Sequence, residues 1–310
     1  MIPYPHLLCP ICGDTLTTTD KNAFCPQNHN FDRARQGYLN LQLSPVKTQY
    51  TKILYRARQH LFCNGVFDPL VSGLSNLIAC QHTPSQSVSR PAHTHSTNPR
   101  NPHPRAATVL DAGCGDGSLL AALIQKIFDL HPVPNRTDPP QTVLGLGIDI
   151  CKDAIKIAAQ THPTLTWCVA DLARPPIADN TQDIIFNILA PANYAEFRRL
   201  LAPGGVLIKV MPGPDHFKEI RQALCPLEET QDSVPNTLRQ QIPLQFSVSE
   251  TRRLTYDVPA AENIEHFIHM SPLSWHTLPE KKEAALNGRL QKIRLDYILM
   301  SLKESYIPEC

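Results

Sequence analysis

From Ala107 onward, short apolar runs alternate with stretches in which apolar residues recur every three or four positions. "ATVLDAGCGDG" is a strand-like run entering a glycine-rich turn, and "SLLAALIQKIFDL" after it carries the spacing of a helix. "TVLGLGIDI" predicts the next strand and "CKDAIKIAAQTH" the next helix. "LTWCVADL", "DIIFNILA" and "GVLIKVMP" predict three further strands, with "NYAEFRRLLAPGG" as a helix and turn between the last two. Such alternation predicts an α/β fold, an open parallel sheet covered on both faces. "LQFSVSETRRLTYDV" and "LQKIRLDYILMSLKE" read as two late strands flanking the helix "AAENIEHFIHM", an arrangement that closes the sheet with an antiparallel edge.

Upstream, "YTKILYRARQHLFCNGVFDPLVSGLSNLIACQ" predicts two helices divided at Gly65 and Pro69. The rhythm then stops. Residues 82–106, "HTPSQSVSRPAHTHSTNPRNPHPRA", are rich in Pro, Ser, Thr, His and Asn and hold almost no large apolar side chain, so they cannot bury a core and read as a flexible insert. A second interruption, "DLHPVPNRTDPPQ", separates a helix from a strand.

The first forty-four residues carry different chemistry. "CPICGDTLTTTDKNAFCPQNH" holds Cys9 and Cys12 as a C-x-x-C knuckle, then Cys25, then His29 four residues further on. Three thiolates and an imidazole at this spacing predict one tetrahedral zinc ion, with a short hairpin between the ligand pairs. A redox pair would sit beside a βαβ pattern, whereas the polar run "GDTLTTTDKNAF" follows here. With four protein ligands and no open position, the zinc is expected to be structural and to supply much of the stability of so small a module.

The glycine-rich turn holds Asp111, Gly113, Gly115, Asp116, Gly117 and Ser118. Glycines let a ligand approach the backbone, and the following helix presents free N–H groups. Asp111 and Asp116 would repel a pyrophosphate but suit a zwitterionic methionine moiety or a sulfonium. Asp149 ends the second strand, where a carboxylate binds ribose hydroxyls, and Asp171 follows the third, within reach of an adenine edge. This series resembles the motifs of Rossmann-like class I methyltransferases that use S-adenosylmethionine (SAM).

Composition narrows the setting. No apolar run approaches the roughly eighteen residues of a membrane span, and "MIPYPHLLCP" lacks a charged segment followed by an apolar core. A chain with neither membrane span nor secretory signal is expected, and ten scattered cysteines fit a reducing, cytoplasmic compartment. Net charge is only +1, yet residues 1–67 carry Lys21, Arg33, Arg35, Lys47, Lys52, Arg56 and Arg58 against Asp14, Asp20 and Asp32. That local excess hints at an anionic partner.

Taken together, "CPQNHNFDRARQGYLNL", the SAM motifs, "NILAP", "PGGVLIKVMPGPDH" and "MSPLSW" resemble the 23S rRNA guanine-N1 methyltransferase family, enzymes that methylate a guanine in a hairpin loop of the large-subunit RNA. The resemblance spans nearly the whole chain. It implies zinc at Cys9, Cys12, Cys25 and His29, and SAM contacts from Phe67, the loop Gly113 to Ser118, Asp149 and His216. It implies a 23S rRNA hairpin as partner and a tendency to form homodimers. The organisation expected is a zinc-binding RNA-recognition module at 1–44, a helical linker at 45–81, the insert at 82–106 and the methyltransferase domain at 107–310.

"NILAPANY" follows the fourth strand, where this fold presents its acceptor, so Asn187 is expected to hydrogen-bond the base and Pro191 to shape a stacking surface. Arg33 and Arg35, just beyond His29, are the expected phosphate contacts. One departure concerns substrate selection: "SPVKTQYTKILYRAR" lacks the G-D-x-x-E-M segment usual in the family before the first helix. Two rival readings stay open, a methyltransferase for a small molecule or protein with zinc as a prop, and an RNA-binding module with a vestigial pocket.

Overall fold

The computed structural model describes residues 4–46, 48–81, 106–130, 143–224, 242–260, 262–275, 277–287 and 290–305. Apart from Ala106, the insert expected at 82–106 lies outside these residues, as does the interruption at 131–141. The N-terminal segment forms three short antiparallel strands, β1 (Thr17–Thr18), β2 (Asn22–Phe24) and β3 (Asn30–Asp32), followed by β4 (Leu39–Asn40). Helices α1 (Lys52–Cys63) and α2 (Asp68–Gln81) come next, bent by 77° across the break that contains Gly65. Gly65 has φ 73°, a left-handed conformation that ends α1 without steric penalty. Thr51 caps α1 by accepting from the Leu54 N–H.

The remaining elements are β5 (Ala107–Ala112), α3 (Ser118–Leu130), β6 (Val143–Asp149), α4 (Lys152–Thr161), β7 (Thr166–Val169), β8 (Gln182–Ile188), α5 (Tyr194–Leu200), β9 (Leu201–Pro212), α6 (Lys218–Leu224), β10 (Phe246–Pro259), α7 (Ile264–Met270), α8 (Pro279–Asn287) and β11 (Lys292–Glu304). Eight strands form one sheet in the order β10-β11-β9-β8-β5-β6-β7-β4. Strands β4 to β9 run parallel, and β11 is antiparallel to both β9 and β10, the closing edge expected from the late strands. Several details differ from expectation. Strand β4 and helices α6 and α8 were not legible, and β9 begins at Leu201, directly after α5, because Leu201 pairs with Gln182 before Gly204 (φ 75°) shifts the register to Val206 opposite Ile184.

Alternation along the strands divides the core in two. Val109, Ile184, Phe186, Ile188, Val206 and Ile208 face a large cluster filled by α2, α3, α4, α6 and α7. Leu110, Ala112, Leu146, Ile148, Ile185 and Leu207 face the other way. Among the described residues that second face is covered by α5 and, in place of further helices, by the N-terminal segment. Tyr4, Leu7, Cys9, Leu16, Ala23, Cys25, Leu39 and Leu41 all belong to this second cluster. Backbone bonds reinforce the junction: Leu8 N–H to Pro176 O (2.9 Å), Ala178 N–H to His6 O (2.9 Å) and Leu41 N–H to Val169 O (2.9 Å). The segment therefore does not depend on a metal alone, since it borrows the apolar face of the central sheet.

Candidate active site and zinc site

Cys9 and Cys12 come from one turn and Cys25 and His29 from another. Gly13 (φ 81°) closes the first with its N–H on Cys9 O, and Asn28 (φ 64°) closes the second with its N–H on Cys25 O. The His29 Nδ1 lies 3.5 Å from Cys9 Sγ and 3.4 Å from Cys25 Sγ, and Cys12 Sγ lies 3.6 Å from Cys25 Sγ. All four ligand atoms are within 4.8 Å of one another. Bonds of ~2.3 Å to sulfur and ~2.0 Å to nitrogen in a tetrahedron impose edges of about 3.5–3.8 Å, so the donor set fits Zn²⁺. Cys63, Cys114, Cys151 and Cys168 are free thiols away from this cluster.

The strand ends at the other side of the sheet open onto a cleft of about 1330 Å³. Gly113 (φ 91°) and Gly117 (φ 78°) are obligatory: a Cβ would fall 2.5 Å from the Ala190 Cβ at the first and 2.4 Å from the Trp167 ring at the second. Asp149 receives the Gly115 N–H on one carboxylate oxygen (2.9 Å) and the Cys151 N–H on the other (2.8 Å), so both oxygens are oriented at the loop's edge. Burial raises its pKa despite those bonds. Asp171 accepts from the Ala173 N–H and lies on the same cleft, as do Phe67, Pro191 and His216.

Asp111 is 2% exposed and Asp116 fully buried, and each keeps one oxygen without a hydrogen-bond partner among the described residues. Burial pushes Asp111 up to about 7, against the pull of the Arg58 guanidinium beside it. Burial alone would lower Arg58, but Asp116 and Asp111 hold its pKa above the ordinary value. Arg58, Asp149 and Asp171 line the cleft, while Asp111 and Asp116 are buried in the loop segment beside it, each with a free oxygen; charges of both signs at this end of the sheet are complementary to the α-ammonium and α-carboxylate of SAM. The residues thus fit the cofactor, and Arg58, absent from the sequence reading as a site residue, is part of the fit.

His216 is held by its surroundings. Its Nδ1 accepts the Asp296 N–H (3.3 Å), its ring packs on Phe217 and Tyr297, and burial lowers its pKa to about 4. The fully buried Asp296 also fixes the preceding loop, accepting the Asp215 N–H (2.9 Å) and both Nε and Nη2 of Arg253.

Asn187 is placed otherwise than expected. It is fully buried and does not line the cleft. Its amide donates to Ala112 O (2.8 Å) and Pro191 O (3.1 Å) and accepts from Lys209 Nζ (2.5 Å), which leaves it shaping the loop instead of facing a base. Lys209 does line the cleft, beside Ala190 and Pro191. Leu189, exposed at the same wall, has φ 52°, a left-handed conformation unusual for a leucine. Arg33 also departs from expectation: its guanidinium binds Thr19 O (3.2 Å) and Gly37 O (2.8 Å), cross-bracing the hairpin, while Arg35 is exposed.

Residues 7–52 match a family model described as "RlmA, N-terminal", a zinc ribbon, and residues 109–205 match one described as "Methyltransferase domain". The YxjB protein of Bacillus subtilis (strain 168), whose name assigns it provisionally to 23S rRNA guanine-N1 methylation, is 33% identical over 97% of this chain and 99% of its own length. The chain belongs to the 23S rRNA (guanine-N1)-methyltransferase family. Another member, the 23S rRNA (guanine(748)-N(1))-methyltransferase of Streptomyces fradiae, is 30% identical over 89% of this chain and 88% of its own. A malonyl-[acyl-carrier protein] O-methyltransferase of Xylella fastidiosa (strain M23) is 28% identical over only 49% of this chain. The rRNA methyltransferases thus align along most of the protein, and the carrier-protein enzyme along about half of it. Among the described residues no single helix is long and apolar enough to cross a membrane.

Proposed function

We propose that this methyltransferase moves the SAM methyl group to N1 of a guanine in a 23S rRNA hairpin loop. The observation that carries the reading is the shared core: a zinc ribbon and a sheet ending in a cleft lined by Arg58, Asp149 and Asp171 are packed as one body, along the length common to the rRNA relatives. SAM supplies an electrophilic methyl on a sulfonium. The chain's residues bind and orient it: Asp111 and Asp116 take the ammonium, Arg58 the carboxylate, Asp149 the ribose hydroxyls, Asp171 the adenine edge, with Phe67 and His216 closing the walls. Much of the rate then comes from positioning, because the nitrogen must meet the methyl in line.

The acceptor must leave its stack, at a cost of a few kcal/mol that is least for an unpaired loop base. Pro191, exposed on the cleft wall, offers a flat apolar contact for it. Residues 1–44 serve as the RNA-recognition module, with Arg35 as a phosphate contact, 45–81 as the linker and 107–310 as the catalytic part. The resemblance also carries a homodimer, which light scattering tests. For the function itself, tritiated methyl transfer is measured into deproteinised 23S RNA, with carrier protein and small metabolites as controls. Label in RNA supports the reading; label in a control alone supports the rival acceptor, and absent SAM binding supports the vestigial pocket.

A further inference from the structure

Guanine N1 carries a proton, and it becomes a nucleophile only as that proton leaves. We propose that Lys209, as the neutral amine, is the general base that removes it. This rests on the guanine-N1 reading above. Lys209 is 5% exposed, and its side chain reaches the cleft beside Ala190 and Pro191. Its Nζ donates to Asn187 Oδ1 (2.5 Å) and to Ala190 O (2.7 Å). The Asn187 amide nitrogen is itself tied to Ala112 O and Pro191 O, so the amide oxygen is the atom turned to the lysine. A neutral amine has two hydrogens and one lone pair. The two acceptors take both hydrogens, and the lone pair is left for a proton from the cleft.

The electrostatic surroundings suit that state. Across the sheet Lys209 faces Asn187 on β8 and Met300 on β11, neither charged. Of the nearby carboxylates, Asp149, at the end of β6, and Asp171, after β7, line the cleft, while Asp111, on β5, and Asp116, in the loop after it, are buried and do not. Burial draws Lys209 down to about 8, so a useful fraction is neutral near neutral pH while the amine stays basic. His216 is no substitute, because its Nδ1 already accepts the Asp296 N–H and its Nε2 then carries the ring proton.

In the step, the N1–H electron pair forms the bond to the sulfonium methyl carbon. The carbon–sulfur bond breaks with its electrons passing to sulfur, and the N1 proton passes to Nζ. The resulting ammonium is held by the same two acceptors and loses a proton to water before the next turnover.

The test uses the full-length protein in single-turnover methylation of a 23S hairpin, with S-adenosylhomocysteine (SAH) affinity measured by calorimetry. The wild-type rate should rise about tenfold per pH unit and level off near 8. Lys209→Met should lower the rate by about 10²–10⁴-fold with SAH affinity within about twofold of wild type. Lys209→Arg keeps a cation and donors to the loop but cannot act as a base, and should be as slow. An arginine variant within about tenfold of wild type would mean that charge suffices, and would overturn the proposal. Loss of SAH binding in both variants would make Lys209 a structural residue and overturn it equally. Failure of the wild-type protein to label RNA would instead sink the guanine reading.

Discussion

Asp111→Asn separates what this carboxylate does for the cofactor from what it does to the fold. The side chain is 2% exposed with one oxygen unpartnered, and burial, with Asp149 and Asp116 nearby, raises it from an ordinary 3.8 to about 7 despite Arg58. That displacement, about three pH units at ~1.4 kcal/mol each, corresponds to about 4 kcal/mol against the ionised, cofactor-free protein. The sign follows from the raised value: the folded chain holds the proton more tightly than the unfolded one, so this contribution is favourable below about pH 4 and is lost as pH rises through about 7. That figure is already net of the attraction to Arg58; Asn removes the charge at equal volume but leaves a buried amide with its own desolvation cost, so a net gain of roughly 1–3 kcal/mol is expected at about pH 8. Melting curves without ligand should show the variant above wild type at that pH and the difference closing towards about pH 4. Calorimetry should show SAH bound at least tenfold more weakly, because the ammonium loses a charged partner. A variant that melts below wild type at the higher pH would refute the reasoning: attraction to Arg58 would then outweigh desolvation.

Cys25→Ser should release the zinc and lower the melting temperature of the whole chain, because Cys9 and Cys25 pack in one cluster with Leu110, Ile148 and Ile185; metal analysis showing full zinc would remove Cys25 from the ligand set. Arg58→Met should weaken SAH by about 1.5–3 kcal/mol and leave methylthioadenosine, which lacks the amino-acid group, unaffected; equal losses for both ligands would assign Arg58 to the fold. Arg35→Ala should reduce the slope of log affinity against log salt by about 0.7 in hairpin titrations. Arg33→Ala should instead lower the ribbon's thermal stability through the lost bonds to Thr19 O and Gly37 O, and an unchanged melting curve would return Arg33 to the phosphate contacts.

The zinc ligands and the glycine loop were legible in the sequence because their geometry is local. C-x-x-C and C-x-x-x-H each bring two ligands together within a single turn, and the positive-φ glycines sit where a strand must turn into a helix. Arg58 and Lys209 were not read as site residues, since their partners lie far away in the chain. Each nevertheless left a signal. Arg58 falls on the same helical stripe as the buried Leu54, Tyr55 and Leu61, and Lys209 interrupts the otherwise apolar "GVLIKVMP" of a central parallel strand, where both faces are covered. A charge in such a position needs a reason. Asn187 and Arg33 failed in the opposite direction: proximity to the acceptor loop and to His29 suggested ligand contacts, whereas backbone carbonyls engage both side chains. The packing of residues 4–41 onto the sheet was also hidden, because the ribbon's few apolar residues carry no period that names their partner face.

The central claim is methyl transfer to guanine N1, and base-resolved mapping of 23S rRNA tests it most directly. Nucleosides and fragments from cells lacking the gene are compared by mass spectrometry with those from cells carrying it, alongside a hairpin methylated by the purified protein. The account predicts one N1-methylguanine, in a hairpin loop, present only where the protein is present and reproduced in the purified reaction. Identical modification in both strains, or a methyl group on a different atom of the base, would contradict it.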